Sequence, residues 1–140
     1  MNEGWYGDDD LILFAEPEIR EAGKRYAISE FLPGLQVVGL RGWDDFIVRD
    51  TDGRTYSVPT VPVELQYLKP FSLPDPALVP EPDERFRGKI KWYTKPVVFG
   101  GDPNFGDNMT WVSHEEHAQL VRWWNDLYRS TANNKSDSPM

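Results

Sequence analysis

The segment that most restricts how this chain can fold is residues 45–59, DFIVRDTDGRTYSVP. Two apolar runs flank a central Thr-Asp-Gly, and an Asp-Gly pair between such runs is a strong signal for a β-hairpin. A two-residue loop would place Val48 opposite Ser57 and would mix the two faces of the hairpin. A three-residue loop, with Gly53 in the left-handed conformation, pairs Val48 with Tyr56 instead. We therefore predict the three-residue loop and a sheet with one buried face, because a slip of one residue would expose that face.

The chain before the hairpin is predicted to contribute two further strands and a short helix. The apolar run at 11–14 is too short for a helix and fits a strand that is buried on both sides. Residues 17–23 are predicted as a short helix, with Pro17 in its first turn and Gly23 at its end. A Pro-Gly turn then leads into a strand at 35–40.

The chain after the hairpin is predicted to be extended at first. Five of the thirteen residues from 70 to 82 are proline, which excludes a helix or a central strand and indicates a surface connector. Lysines alternate with Ile90 and Trp92, a pattern that predicts an edge strand with its cations facing outward. Residues 97–99 are predicted as a compact strand that is closed by Gly100.

The last predicted element is a helix that begins with a capping box. Ser113 and Glu116 are spaced so that each side chain can bond a free amide of the first turn. The helix is predicted to end near residue 129. The polar residues 131–140 are predicted to form a flexible tail. The side of the helix that faces the core is expected to comprise His117, Leu120, Val121, Trp124, Leu127 and Tyr128.

Length and composition exclude several classes of protein. A chain of 140 residues can form one domain with a full core and is too short for two. The absence of cysteine excludes a disulfide framework, a thiolate zinc site and a cysteine nucleophile. The sequence contains no apolar run of membrane-spanning length and no secretory signal, so a cytoplasmic location is expected.

The net charge of −8 indicates what kind of partner the chain attracts. Residues 1–70 hold 13 acidic and 7 basic residues, so most of the negative charge lies in the N-terminal half. Such a field repels nucleic-acid backbones and anionic membranes, and it attracts a basic protein. We therefore expect no nucleic-acid and no membrane partner, although the basic aromatic run at 85–95 contains residue types that nucleic-acid-binding proteins use.

Few side chains form a pattern that is typical of catalysis or metal binding. His114 and His117 are three residues apart, whereas the zinc-protease helix places its two histidines four apart. We expect a solvated His114 and a His117 at the edge of the core. Asp102 and Asp107 are the best candidates for the two carboxylates of a glycosidase, but a role in a turn explains Asp102 better. No cofactor, no metal and no enzymatic activity is predicted.

Three consecutive aspartates, Asp8, Asp9 and Asp10, precede the first predicted strand. Adjacent carboxylates point in divergent directions, and no paired acidic motif follows them. The sequence therefore predicts a solvated strand entrance rather than a metal site.

Residues 11–64 resemble the SUKH superfamily, many of whose bacterial members are immunity proteins against polymorphic or contact-delivered toxins. The resemblance rests on LILFAEPEIREAGKRYAISEFLPG, on QVVG and on DFIVRDTDGRTYSVP. The segment KPVVFGGDPNFGDNMTWVSHEEHAQLVRWWNDLYRS is similar to the C-terminal part of related immunity-type proteins. Two features depart from the family pattern. Residues 41–45 (RGWDD) stand where members commonly carry a glycine cluster, and no helix is predicted ahead of Leu11, where members usually have one.

The resemblance implies an α+β fold in a single SUKH-like domain over residues 1–130, with the C-terminal helix and short helical turns packed on a mostly antiparallel sheet. It also implies a cytoplasmic bacterial immunity protein that neutralises a toxin, for example one delivered by type VI secretion, by direct stoichiometric binding. The alternatives are a small carbohydrate-active hydrolase that uses Asp102 and Asp107, and an intracellular scaffold or regulatory interaction module.

The toxin-facing surface is predicted on the acidic N-terminal half of the chain. Its charge would steer a basic toxin domain toward it, and an adjacent tryptophan would supply the desolvated anchor that charges alone do not provide. The residues predicted to contact the partner are Asp8, Asp9, Asp10, Trp43, Asp44 and Asp45.

Overall fold

Six strands that follow one another along the chain form the main antiparallel sheet of the protein. The computed structural model describes residues 2–7, 9–42, 45–75, 77–81, 83, 84, 87–102, 104 and 107–136, with the backbone alone for 132–136. The strands are β1 (Asn2–Tyr6), β2 (Asp9–Leu13), β3 (Gln36–Arg41), β4 (Asp45–Arg49), β5 (Thr55–Pro59) and β6 (Lys69–Pro70). Their order in the sheet is their order in the sequence, and every neighbouring pair is antiparallel. The two strands predicted before the hairpin are therefore confirmed.

The hairpin of β4 and β5 has the predicted register. Val48 lies opposite Tyr56, and Gly53 is left-handed with φ of +85°. The Asp50 carboxylate accepts the backbone N–H of Arg54 at 2.9 Å, which fixes the conformation of the loop. β4 and β5 therefore pair as the sequence predicts for a three-residue loop.

Among the described residues, three α-helices complete the predicted α+β fold: α1 (Glu16–Arg25), α2 (Ile28–Phe31) and α3 (His114–Ser136). The first is longer than predicted. Gly23 lies inside α1, and Tyr26 caps the helix by donating its backbone N–H to the Ala22 oxygen at 3.0 Å. Ala27 then adopts the left-handed conformation, at φ of 53°, and turns the chain into α2.

The start of α3 is as predicted, but its end is not. The Ser113 hydroxyl accepts the N–H of Glu116 at 3.1 Å, and the Glu116 carboxylate accepts the N–H of Ser113 at 3.2 Å. The helix continues to Ser136, so residues 131–136 are helical rather than a flexible tail. Thr131 accommodates the extension by donating its hydroxyl to the Leu127 oxygen at 3.0 Å. Residues 137–140 of the predicted tail lie outside the described residues.

Two further strands, β7 (Ile90–Tyr93) and β8 (Met109–Val112), form a small second sheet. Ile90 and Trp92 are buried, as the alternating pattern predicts. The predicted strand at 97–99 is wrong, because these residues form a 3-10 helix. Pro96 before it has no N–H to give to a neighbouring strand, and Gly100 ends the turn in the left-handed conformation at φ of +93°.

Both faces of the main sheet carry buried residues, which corrects the prediction of one buried face. The larger core lies where the three helices and the small sheet meet the main sheet, and it includes Phe46 and Val48. Ile47 lies between them in β4 and points to the opposite face, yet it is fully buried. Leu11 and Val38 pack around it, and Phe71 of the connector covers this second cluster. The proline-rich connector therefore supplies the apolar cover that the pattern of one strand could not reveal.

The core-facing side of α3 is rotated from the predicted one. Among its described side chains, those of residues 114–131, four are buried: His117, Ala118, Val121 and Asn125. Leu127 is 38% exposed, and Trp124 is half-buried. The reason is Asn125, whose side-chain amide donates to the Thr60 oxygen at 2.7 Å and whose Oδ1 accepts the Val63 N–H at 2.8 Å. A fully bonded amide can occupy the centre of a buried face, so the helix turns toward these two backbone groups.

Candidate functional site

Three of the predicted partner-binding residues lie at one end of the main sheet. Asp9 and Asp10 begin β2, Asp45 begins β4, and Arg41 at the end of β3 lies between these strands. Asp8, Trp43 and Asp44 lie outside the described residues. The antiparallel order of β2, β3 and β4 thus places acidic residues from distant parts of the sequence at the same end of the sheet.

Asp9 and Asp10 have different surroundings, because successive residues of a strand point to opposite faces of the sheet. Asp9 forms an ion pair with Arg41, with 3.3 Å between its Oδ1 and the arginine Nε. Asp10 is only 8% exposed. The prediction of a solvated strand entrance is therefore wrong for Asp10, since its strand pairs on both sides and its side chain points beneath a covering segment.

That covering segment, which we call the strap, consists of residues 79–81, 83, 84 and 87–89. Trp5 of β1 and Glu81 of the strap exchange two backbone hydrogen bonds, each 2.8 Å long. The Trp5 indole also donates to the Asp83 carboxylate at 3.1 Å. Gly4 allows this close approach, because a Cβ there would lie 2.5 Å from the Glu81 oxygen. The strap is thus fixed to the free edge of β1.

A cleft of about 320 Å³ lies between the strap and the sheet. Buried Ile12 and Ile90 contribute an apolar part of its lining. Glu3, Asp10 and Asp83 bring carboxylates to it from β1, β2 and the strap. Its size suits a small molecule or one large side chain. The cleft therefore combines an apolar surface with an excess of negative charge.

Two carboxylates of the cleft, those of Asp10 and Glu3, are incompletely paired among the described residues. Burial, and then the negative charges of Asp83 and Glu3, raise the pKa of Asp10 from 3.8 to about 6. Among the described residues the Asp10 carboxylate has no hydrogen-bond or ion-pair partner. The Glu3 carboxylate accepts the Gly88 N–H at 3.4 Å through Oε1, but its buried Oε2 has no partner among the described residues.

A second group of buried polar atoms lies in the main core, around His117. Its Nδ1 is 2.5 Å from the Tyr26 hydroxyl, a contact that joins α3 to the end of α1. The Trp92 ring stands edge-on to the imidazole, with 4.7 Å between ring centroids and an angle of 89°. His117 is fully buried rather than at the edge of the core, which corrects the prediction. Burial lowers the pKa of His117 to about 3, so the ring is neutral at pH 7.

His114 is also less solvated than predicted. It is half-buried beside Phe14 and Arg25, and its buried Nε2 has no partner among the described residues. Burial and then the Arg25 charge lower its pKa. Within the part of the chain that the structure describes, no three side chains of His, Cys, Asp or Glu come together to hold a metal ion.

An exposed aromatic patch on α3 is a surface that sequence reasoning missed. Trp123 is 57% exposed and stands edge-on to Trp124, with 4.8 Å between ring centroids. Trp124 in turn contacts Phe99, at 5.0 Å. Val97 and Val98 beside Phe99 are 44% and 46% exposed. The adjacent tryptophans in the sequence were the available signal, because two neighbours on a helix cannot both face the core.

The two carboxylates considered for a glycosidase are exposed loop residues. Asp102 accepts the backbone N–H of Asn104 at 2.9 Å through Oδ1, which is the bonding of a turn-forming aspartate. Asp107 has no such contact with Asp102 among the described residues, and neither borders the acidic cleft.

No protein-family model, curated protein or solved structure matches this chain. Within the described residues no helix combines the length and the apolar composition needed to cross a bilayer.

Proposed function

We propose that this protein is a cytoplasmic bacterial immunity protein of the SUKH type, which neutralises a toxin domain by binding it in a stoichiometric complex. The observation that carries the proposal is the resemblance of residues 11–64 to the SUKH superfamily, on the strand, turn and hairpin segments quoted above. The α+β fold and the hairpin register agree with that resemblance. A binding protein needs a surface rather than a catalytic centre. Two surfaces can serve this purpose: the acidic end of the main sheet and the exposed aromatic patch on α3.

The acidic end of the main sheet supports a basic partner. The net charge of −8 is concentrated in the N-terminal half, where Asp9 and Asp10 begin β2 and Asp45 begins β4, the two strands that flank β3. A field of this sign speeds the encounter with a basic domain at low salt. Asp9 is partly neutralised by Arg41, so the attraction comes from the summed negative charge of the N-terminal half rather than from this residue alone.

The decisive experiment is co-expression with the toxin domains that are encoded next to this gene. The protein should restore growth when a toxin domain is induced, and it should form a one-to-one complex with a catalytically inactive form of that domain. Failure to protect against every neighbouring toxin domain, together with no complex in size-exclusion chromatography, would sink the proposal.

The position of the interface is tested by reversing charge. Asp44→Lys with Asp45→Lys should slow association with the toxin domain about tenfold at low salt, because steering is lost. Trp43→Ala should mainly speed dissociation, since a buried aromatic anchor acts on the formed complex. Glu115→Lys with Asp126→Lys is the matched control, because both residues are exposed on α3 and the net charge changes equally. If the two double variants behave alike, the interface is elsewhere.

Two other functions remain distinguishable by direct assay. Activity on a panel of glycosides that is lost in Asp102→Asn would support a hydrolase. A specific partner recovered from lysate of a strain without any neighbouring toxin gene would support a scaffold or regulatory module. Neither result is expected if the protein acts as an immunity protein.

A further inference from the structure

We propose that the cleft beneath the strap binds a cationic group carried on an apolar stem, namely an alkylguanidinium or alkylammonium such as an arginine or lysine side chain. The source of that side chain, a toxin domain, rests on the proposed function. The recognition of the cation itself depends only on the cleft. The observation behind the proposal is that Asp10 is nine-tenths buried, borders the cleft, and has no partner among the described residues.

An unpaired buried carboxylate is costly, so its place in the fold calls for a compensating ligand. Asp10 lies near two further carboxylates, Glu3 and Asp83, whose charges oppose its ionisation. The Oε2 atom of Glu3 is buried and is also without a partner among the described residues. The carboxylate of Asp10 and the unpartnered Oε2 atom of Glu3 border one cleft, and this favours a positively charged occupant over a neutral or negative one.

The other residues that line the cleft indicate which kind of cation it binds. Within the described residues the carboxylates are not grouped closely enough to hold a metal ion, whereas a guanidinium carries five donors spread over a planar fork. Ile12 and Ile90 provide an apolar surface against which a methylene stem can pack. The volume of about 320 Å³ accommodates a whole side chain.

Within the described part of the chain, two cations border the cleft, and neither is paired with Asp10. Arg87 borders the cleft but forms its ion pair with Glu84, with 3.4 Å between Nη2 and Oε1, and both side chains are about 70% exposed. Lys89 is an exposed residue of the rim. These two residues reduce the charge at the mouth of the cleft, and among the described residues neither forms an ion pair with Asp10.

Binding is expected to depend on pH, because the occupant needs an ionised Asp10. Its pKa of about 6 in the free protein means that affinity should fall as the pH drops below 6. The charged groups that border the cleft on β1, β2 and the strap are Glu3, Asp10, Asp83, Glu84, Arg87 and Lys89. A bound cation also favours the ionised carboxyl, so binding near pH 6 should release protons.

The test is titration of the full chain with n-butylguanidinium at constant ionic strength, followed by backbone amide NMR shifts. We expect saturable binding in the millimolar range, with the largest shifts at Gly4, Ile12 and Ile90, and no binding of the uncharged isostere n-butylurea. Asp10→Asn should weaken binding about tenfold or more, because a charge-assisted contact becomes a neutral one. Asp52→Asn, in the exposed hairpin loop, is the charge-matched control and should bind as the wild type does.

A second variant keeps the test decisive if Asp10→Asn perturbs the fold. Glu3→Gln retains the oxygen that accepts the Gly88 N–H and removes only the charge, and it should weaken binding several-fold. Equal shifts with n-butylurea, equal binding by Asp10→Asn and Asp52→Asn, or the same saturation curve with MgCl2 would each overturn the proposal.

The affinity of the variants for the toxin domain shows whether the cation in the cleft is a side chain of that domain. If Asp10→Asn lowers the affinity for the toxin domain and Asp52→Asn does not, the cleft receives a side chain of the partner. If n-butylguanidinium binds but no neighbouring toxin domain does, the proposal for the cleft is supported and the proposed immunity function is contradicted. If a toxin domain binds equally well to both variants and n-butylguanidinium does not bind, the immunity function stands and the cleft proposal falls.

Discussion

Asp10 and His117 are both ionisable residues that the fold buries, but their surroundings are opposite. His117 is completely buried, its Nδ1 is 2.5 Å from the Tyr26 hydroxyl, and the Trp92 ring packs edge-on against it. Asp10 is 8% exposed, borders an open cleft and has carboxylates as its charged neighbours. Burial, and then the charge of His114, hold the imidazole of His117 in its neutral form, and only its Nδ1 has a partner among the described residues. The carboxyl of Asp10 has a pKa of about 6, close to neutral pH, and no partner among the described residues.

The difference separates a structural role from a functional one. A buried polar group with a partner contributes to stability and fixes how two helices meet. A buried carboxylate without one lowers stability at neutral pH, and such sites are commonly retained for binding or catalysis. On this comparison, His117 belongs to the framework of the protein, and Asp10 is the residue on which the proposed binding cleft depends.

The largest expected effect is on the framework. His117→Ala should lower the free energy of unfolding by about 3–4 kcal/mol, because it opens a cavity and leaves the buried Tyr26 hydroxyl unpaired. Urea denaturation at pH 7 measures the loss. Gln119→Ala, at an exposed position of the same helix, is the control and should change stability by less than about 0.5 kcal/mol. A loss below about 1 kcal/mol for His117→Ala would show that the core tolerates the cavity.

A smaller loss is expected when only the hydrogen bond of His117 is removed. Tyr26→Phe keeps the ring that stands edge-on to Phe46, at 4.8 Å, and deletes the hydroxyl. Unfolding should then require about 1–2 kcal/mol less, since the imidazole nitrogen remains buried without its partner. A double variant with His117→Ala should lose less than the sum of the two single changes, and strict additivity would contradict the coupling.

The smallest expected effect has the opposite sign and lies in the cleft. Asp10→Asn should raise the stability at pH 7 by about 1 kcal/mol, a value reduced for the solvent that still reaches the cleft. The pKa of Asp10 is raised from 3.8 to about 6, so ionisation lowers stability above pH 6 and does so progressively less down to pH 3.8. The gain should therefore vanish near pH 3.5. Glu30→Gln, at an exposed position, should show no such trend.

Acid titration brings the two groups into one measurement. The pKa of His117 is lowered from 6.5 to about 3, so the unfolded chain binds a proton more readily and stability falls from pH 6.5 toward pH 3. Asp10 acts in the other direction between pH 6 and pH 3.8. Chemical denaturation across this range should show a steeper acid loss for Asp10→Asn than for the wild type. Parallel curves would mean that Asp10 does not titrate in this window.

The elements that were predicted correctly are those whose information is local. The hairpin register follows from Gly53 and the alternation of residues on either side of it, and the start of α3 follows from Ser113 and Glu116. The α+β class followed from the resemblance and is confirmed. The strand assigned to 97–99 failed because apolar character alone does not distinguish a strand from a 3-10 turn, whereas the preceding Pro96 does.

The features that were missed depend on contacts between distant residues. The side of α3 that faces the core is set by Asn125, whose partners Thr60 and Val63 lie in another part of the chain. The burial of Asp10 depends on the strap, which reaches β1 through the pairing of Trp5 with Glu81. The alternation of residues within β2 does not indicate that Asp10 is buried. The sequence could therefore indicate an acidic surface but not the cleft within it.

The proline-rich connector has a consequence for how the main sheet ends. Near its start, Lys69 and Pro70 pair with β5 at one border of the sheet, and near its end Glu81 bonds to Trp5 at the other border. A proline at the first border offers no N–H to an incoming strand, and the bridge at the second border occupies the backbone of β1. The connector therefore hinders the pairing of a foreign strand at both borders of the main sheet. A single proteolytic cut within 71–80 should expose both borders together, and the nicked protein should self-associate into fibrils or oligomers that the intact chain does not form.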